Sequence, residues 1–181
     1  MIFFTSDTHF NHLNICRATS KWSDISRTRN FSSLDLMNQT IIDNINSVVS
    51  SNDILYHLGD YSFGSADNYQ KFREQINCNN IHLILGNHDN KHGKENDPVM
   101  SNGRHVSSLF ESYGYYKEIF IKRAYFILFH YPVVNWNYNN KGAIHLFGHC
   151  HSSEHDKFFH GGKSIDVGVD GNNYMPYKMK Y

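Results

Sequence analysis

Residues 2–9 read Ile-Phe-Phe-Thr-Ser-Asp-Thr-His, a short apolar and β-branched run that passes at once into a carboxylate and an imidazole. Such a run reads as a strand, and the polar pair marks its end. The arrangement returns twice: Ile54-Leu-Tyr-His-Leu-Gly59 leads into Asp60, and Ile81-His-Leu-Ile-Leu-Gly86 leads into Asn87, His88 and Asp89. Helical stretches lie between. Leu34, Met37, Ile41, Ile42, Ile45 and Val48 recur on one helix face behind an N-cap at Ser33, and a weaker helix is expected over Ala66 to Ile76. Strand, helix, strand, helix, strand in this order predicts a parallel sheet with right-handed crossovers.

Beyond about residue 110 the character changes. Apolar runs at Tyr115–Ile121, Tyr125–Phe129 and Ala143–Phe147 read as strands, with Lys122-Arg123 as a hairpin turn. Gly161-Gly162 separates Lys157–His160 from Lys163–Val167 in the same way, so the second half is expected to be mostly antiparallel. The polar stretch Asn87–Asn102 reads as a loop. No repeat or linker divides the chain, and one domain over 1–181 is expected.

With 40% hydrophobic and 19% charged residues, the chain can bury a core and is not disordered. Lys+Arg (17) balances Asp+Glu (17), which argues against a protein that coats long nucleic acid or an anionic membrane by bulk charge. No apolar run approaches the ~18 residues of a bilayer span, and the start lacks the basic region of a signal peptide. Cys16, Cys78 and Cys150 make no disulfide framework. A reducing, cytoplasmic setting is therefore expected. The 13 histidines direct attention to metal sites.

Two more strands end on imidazoles: Tyr125–Phe129 on His130, and Ala143–Phe147 with Gly148 on His149 and His151. In α/β sheets ligands bind at the carboxyl ends of strands, so these groups are expected to converge. Imidazoles mixed with a few hard oxygens suit Mn, Fe, Zn, Ni or Co better than Ca²⁺ or Mg²⁺ alone. The donors exceed what one tetrahedral ion needs, and two ions sharing one carboxylate use them up. The neutral Asn87 leaves such a site net positive, suited to a phosphate oxyanion.

Asp7-Thr-His9, Gly59-Asp60, Gly86-Asn87-His88-Asp89, His130 and Gly148-His149-Cys-His151 resemble, in order, the five motifs of the calcineurin-like metallophosphoesterase family. Further segments are similar to a small bacterial and phage branch of it: Thr8-His-Phe-Asn-His12 with Asn14 and Ile15, Tyr56-His-Leu-Gly-Asp60, and Val167-Gly-Val-Asp170 followed by Tyr174 and Pro176. The resemblance implies an α/β fold, a β-sandwich of two mixed sheets flanked by helices, and a two-metal phosphoesterase. It places Asp7, His9 and His151 on one metal and Asn87, His130 and His149 on the other, with Asp60 bridging. A hydroxide between the ions would attack phosphorus in line. His88 would stabilise and protonate the leaving oxygen, with Asp89 orienting its ring. The cofactors implied are two divalent transition-metal ions, manganese ahead of iron, nickel, zinc and cobalt.

Other residues carry competing readings. His57, His82 and His145 lie inside strands and read as packed core imidazoles; Asp89 can equally cap its own turn. His12 is placed to touch substrate or to orient a ligand. Arg17, Arg27, Arg29 and Arg104 are candidates to grip a substrate phosphate, Arg29 being carried forward with His12 as a substrate contact. Tyr131, Trp136 and Tyr138 can stack a nucleobase or simply pack. A chain this short leaves no room for a cap domain, which favours a small phosphodiester or nucleotide-like substrate over a protein. Specificity is expected in the loops Phe10–Phe31, Asn90–His105 and Trp136–Lys141. The rival readings are a nuclease and a catalytically silent scaffold of the same fold; loss of the imidazole at position 88 would mark the scaffold, and His88 is present.

Overall fold

Phe3 and Phe4 leave opposite faces of the first strand, and that alternation separates two cores. The computed structural model describes residues 1–89, 97–151, 158–159 and 162–179. Its regular elements are β1 (Ile2–Thr5), α1 (Leu34–Val48), β2 (Ile54–His57), α2 (Ala66–Arg73), β3 (Asn80–Ile84), β4 (Ser112–Gly114), β5 (Tyr116–Ile121), β6 (Ala124–Phe129), β7 (Ile144–Phe147), β8 (Phe158–Phe159), β9 (Gly162–Asp166) and β10 (Tyr177–Lys178). Short 3-10 turns join some of them. Among the described residues no helix is long and apolar enough to cross a membrane.

The first sheet has the order β10-β1-β2-β3-β4; β1 through β4 run parallel, and β10 closes the outer edge of β1 antiparallel. The second has the order β5-β6-β7-β9-β8. Here the expectation of mostly antiparallel pairing fails. Only β5–β6 and β8–β9 are antiparallel, whereas β6, β7 and β9 run parallel through the middle. The long connections between them act as crossovers, which parallel neighbours require. Lys122 and Arg123 do form the predicted hairpin turn, both left-handed at φ 47° and 71° as a type I′ turn needs. The β8–β9 turn and residues 90–96 of the predicted loop lie outside the described residues. The short β4 and β10 are strands that periodicity did not reveal.

Outside the first sheet, Met37, Ile41 and Ile45 of α1 and Phe72 of α2 pack on Phe3, Leu55 and Leu83. Between the sheets, Phe4, Tyr56 and Ile84 meet Phe126, Leu128 and Leu146, with Phe4 and Tyr56 stacked at 5.5 Å. Burying each such side chain contributes roughly 1.5–3 kcal/mol. The outer face of the second sheet is covered by Trp136, Val133 and Ala143 from a loop. The described helices therefore flank one sheet only.

Helix α1 starts where predicted: the Ser33 hydroxyl accepts the Leu36 N–H at 3.1 Å. Helix α2 stops three residues before Ile76. There the chain tightens into i→i+3 bonds, and Arg73 turns onto the carbonyls of Ile76, Asn79 and Leu109.

Candidate metal centre

The segments leaving β1 and β2 run side by side, with Asp7 N–H donating to the Gly59 carbonyl (2.9 Å), His9 N–H to Asp60 (3.0 Å) and Phe10 N–H to Tyr61 (3.0 Å). Along them the chain enters left-handed backbone at Asp7 (φ 56°), His9 (φ 49°) and Asp60 (φ 54°), and again at His149 (φ 70°) and His151 (φ 49°). Such conformations cluster at functional sites because surrounding structure must hold them. Two glycines admit the close approach. A Cβ at Gly86 would strike the Asp60 carboxylate, and one at Gly148 would strike Ser6 Oγ and the Asp7 carboxylate.

All seven metal-ligand candidates converge. One ligand atom each from Asp7, His9 and His151 lie within 4.8 Å of one another, and the same holds for Asp7, Asp60 and His130. Asp60 Oδ2 lies between the two halves, 3.5 Å from His9 Nε2 and 3.6 Å from His130 Nε2. Its other oxygen accepts the His88 N–H at 2.8 Å. Asn87 Oδ1 is 3.1 Å from His130 Nε2 and 2.9 Å from His149 Nδ1. His149 also donates its backbone N–H to the Asp7 carboxylate, at 3.0 and 3.2 Å.

The outer nitrogens of these rings are committed elsewhere. His130 Nδ1 lies 2.6 Å from the Leu58 carbonyl, which makes it the protonated nitrogen and leaves Nε2 as the lone-pair donor. His151 Nδ1 lies 2.7 Å from Asp170 Oδ2, with Nε2 turned to Asp7 at 3.8 Å. His9 Nδ1 lies 3.0 Å from His12 Nδ1. With the His9 proton assigned to Nδ1, its Nε2 lone pair is buried, makes no hydrogen bond, and faces the carboxylates of Asp7 and Asp60. A lone pair aimed between two carboxylates is satisfied by a cation. That orphaned nitrogen, at a residue only 2% exposed, is where the donor set fits a metal ion.

The electrostatics agree. Burial pushes the Asp7 carboxyl up to about 7 and that of Asp60 up to about 7, with the Asp7 carboxylate adding to the rise at Asp60 and Asp166 and Asp170 adding to that at Asp7. Burial holds His9 well below the usual imidazole range and His12 down at about 4. Burial opposes charge on His151 too, but the Asp170 hydrogen bond and Asp7 outweigh it and the net direction is upward.

The remaining candidates divide. His88 stands at the mouth with its side chain 41% exposed and Nε2 3.9 Å from Asp60 Oδ2. His12 lies flat on Phe63 at 3.6 Å and 7°, bonds the His9 ring and also lines the cavity, a position open to either of its readings. Phe63 itself, which also meets the rings of His9 and His88, carried no signal in the sequence. Asp89 is not hydrogen-bonded to the His88 ring among the described residues. Its carboxylate accepts the N–H groups of Asp60 (2.6 Å), Gly86 (2.8 Å) and Tyr61 (2.9 Å) and the Tyr69 hydroxyl (2.7 Å). It thus pins the loops of the site, which is the turn-capping alternative. Arg29, expected to grip substrate, is 4% exposed, and its guanidinium ends on Asp170 and on the carbonyls of Asp7 and Thr8. Asp170 was visible in the sequence only as part of Val167-Gly-Val-Asp170.

His57 and His145 are buried imidazoles, His57 Nε2 bonded to Thr8 Oγ1 and His145 to the Ile127 and Tyr131 carbonyls, whereas His82 is only half-buried and bonds Ser112 Oγ. Trp136 packs, its indole N–H on the Ala143 carbonyl, while Tyr131 stands against His130 and His149. Trp22, 40% exposed and from a loop the sequence marked only as a specificity region, lies on the cavity wall, as does Tyr174. The open cavity over the centre holds about 810 Å³, and Arg27 and Asn30 also line it.

Comparison with known proteins places this architecture. The chain matches the model of the calcineurin-like phosphoesterases over residues 1–180. It is 34% identical over 183 residues to an uncharacterised protein of Methanocaldococcus jannaschii, covering 98% of this chain and 86% of that protein. A crystal structure of a protein of unknown function from Aquifex aeolicus matches with a TM-score of 0.68 and 23% identity, covering 97% of this chain and 94% of that one. The structure of an archaeal phosphodiesterase matches with a TM-score of 0.48 and 18% identity, covering 92% and 82%. The chain belongs to the calcineurin-like phosphoesterase family. The family acts on phosphoesters and implies divalent metal ions, for which this chain has candidate ligand groups.

Proposed function

We propose that the protein hydrolyses small or nucleotide-like phosphodiesters at a dinuclear centre, with Asp7, His9 and His151 seating one ion, Asn87, His130 and His149 the other, and Asp60 between them. The observation that carries this reading is His9 Nε2, buried without a hydrogen-bond partner beside the carboxylates of Asp7 and Asp60 and facing His130 across Asp60 Oδ2. Two divalent ions, manganese first among those the donors suit, would supply an activated water near neutral pH and neutralise charge at phosphorus. The chain's own groups do the rest. His88, fixed by its N–H to Asp60 and braced by Phe63, stands at the cavity mouth to stabilise and protonate the leaving oxygen; burial holds its imidazole below the usual range, and the Asp89 carboxylate works against that shift. Asp89 keeps the Asp60 and Gly86 turns at their spacing, and His12 holds the His9 ring. The cavity volume suits a ligand of nucleotide size, and Trp22 on its wall offers a flat apolar surface to such a group.

The test is a panel of metals against substrates. Chelator-stripped protein is reloaded with Mn²⁺, Ni²⁺, Zn²⁺ or Mg²⁺ and given bis(p-nitrophenyl) phosphate beside p-nitrophenyl phosphate. Faster turnover of the diester, best with manganese, is expected. Silence on both esters with every ion, in folded and metal-loaded protein, would establish the scaffold reading instead.

A further inference from the structure

Arg29 and Asp170 are 141 residues apart in the chain and form a forked ion pair, Nε to Oδ1 and Nη2 to Oδ2, each at 2.7 Å. The same guanidinium reaches inward, with Nη2 on the Asp7 carbonyl (2.6 Å) and Nη1 on the Thr8 carbonyl (2.9 Å). Asp170 in turn takes the Nδ1 side of His151 at 2.7 Å. One unit, its arginine buried and its aspartate half-buried, therefore touches the backbone beside Asp7 and His9 and the ring of His151.

In the reading proposed above, those three residues seat one ion. All three are left-handed, and two adjoin the carbonyls that Arg29 holds. The opposite seat is braced mainly by the Leu58 carbonyl on His130 and by the contacts of Asn87 with His130 and His149, and His149 also rests its backbone N–H on the Asp7 carboxylate. Among the described residues it has no comparable ion pair.

We propose that Arg29 and Asp170 are positioning residues for the Asp7–His9–His151 seat alone, setting its affinity independently of the Asn87–His130–His149 seat. The inference rests on the two-seat reading above. Asp170 keeps the His151 proton on Nδ1, so that Nε2 presents its lone pair beside Asp7. Arg29 supplies the charge that keeps the half-buried Asp170 a carboxylate and holds the two carbonyls that fix the strained segment. Both groups line the cavity wall, and their side-chain bonds run to Asp7, Thr8 and His151.

The experiment is calorimetric titration of the chelator-stripped full chain with Mn²⁺, together with manganese electron paramagnetic resonance. The parent should bind two ions per chain and show an exchange-coupled spectrum; a parent that binds one would overturn the two-seat reading itself. Asp170→Asn should weaken one of the two sites by ~10–100-fold, leave the other within about twofold, and turn the spectrum mononuclear at one equivalent. Arg29→Lys keeps the buried charge but cannot fork, and should weaken the same site; it serves as the second variant should Asp170→Asn fold poorly. Two unchanged affinities, or both sites weakened alike, would overturn the assignment, since a merely structural role moves both together.

Discussion

Asp89→Asn tests whether this carboxylate builds the site or serves the His88 ring. Oδ2 accepts two N–H groups, from Asp60 and Gly86, and Oδ1 accepts the Tyr61 N–H and the Tyr69 hydroxyl. An amide has only one acceptor oxygen. Its better orientation puts the NH₂ at the Oδ1 position, where the Tyr69 hydroxyl can turn and accept while the Tyr61 N–H loses its partner. Leaving one buried N–H unsatisfied costs about 1–3 kcal/mol, and each bond to a charged acceptor that becomes neutral gives up about 1 kcal/mol more. The expected destabilisation is about 4 kcal/mol, a fall in Tm of roughly 8–16 °C for a chain of this size. Circular dichroism melts of chelator-stripped parent and variant read it without metal. A variant that melts within about 2 °C of the parent yet loses turnover would refute the reasoning and return Asp89 to the ring-orienting role.

His88→Ala is expected to keep its metal, by elemental analysis, while kcat drops by ~10²–10⁴. Asp60→Ala should lose metal as well as activity, because the carboxylate between the two halves is gone; the same elemental analysis reads it. Gly148→Ala would place a methyl on Ser6 Oγ and the Asp7 carboxylate, so a fall in kcat/KM of about 10²-fold is expected from misplaced ligands. Ser33→Ala, far from the centre, removes the cap of α1 and should cost about 1 kcal/mol in urea denaturation with turnover unchanged.

The strands that carry the site were readable because each ends abruptly: an apolar run passes into glycine and a metal donor at Asp60, Asn87 and His149 alike. Helix α1 was readable to its ends because its cap and its apolar face are both local signals. Strand direction in the second half was not readable. Phe126, Leu128, Leu146 and Val167 all point into the same inter-sheet core, and that pattern is identical whether neighbours run parallel or antiparallel. Strands β4 and β10 are too short to show a period. Within the site the same divide holds. Ligands announce themselves by residue type and position, whereas Arg29, Asp170, Phe63 and Asp89 act through bonds to parts of the chain far away in sequence, and an arginine bound inward looks no different in sequence from one bound outward.

The left-handed ligands explain why so many distant groups are needed. Each L residue held there gives up about 1–2 kcal/mol, and five of the seven proposed ligands are so held. Aspartate and histidine tolerate the region better than most side chains, yet glycine would occupy it at less cost at every one of these positions. The chain instead keeps carboxylates and imidazoles there and restrains them with bonds from outside the segment. Asp89 holds the backbone N–H of Asp60, Arg29 holds the carbonyl of Asp7, the carbonyl of Asp60 holds His9, and the Asp7 carboxylate holds the backbone of His149. Because these restraints are bonds within the protein, they hold the donors together without drawing on an ion, and they lessen the reorganisation that a loose loop would undergo on binding one.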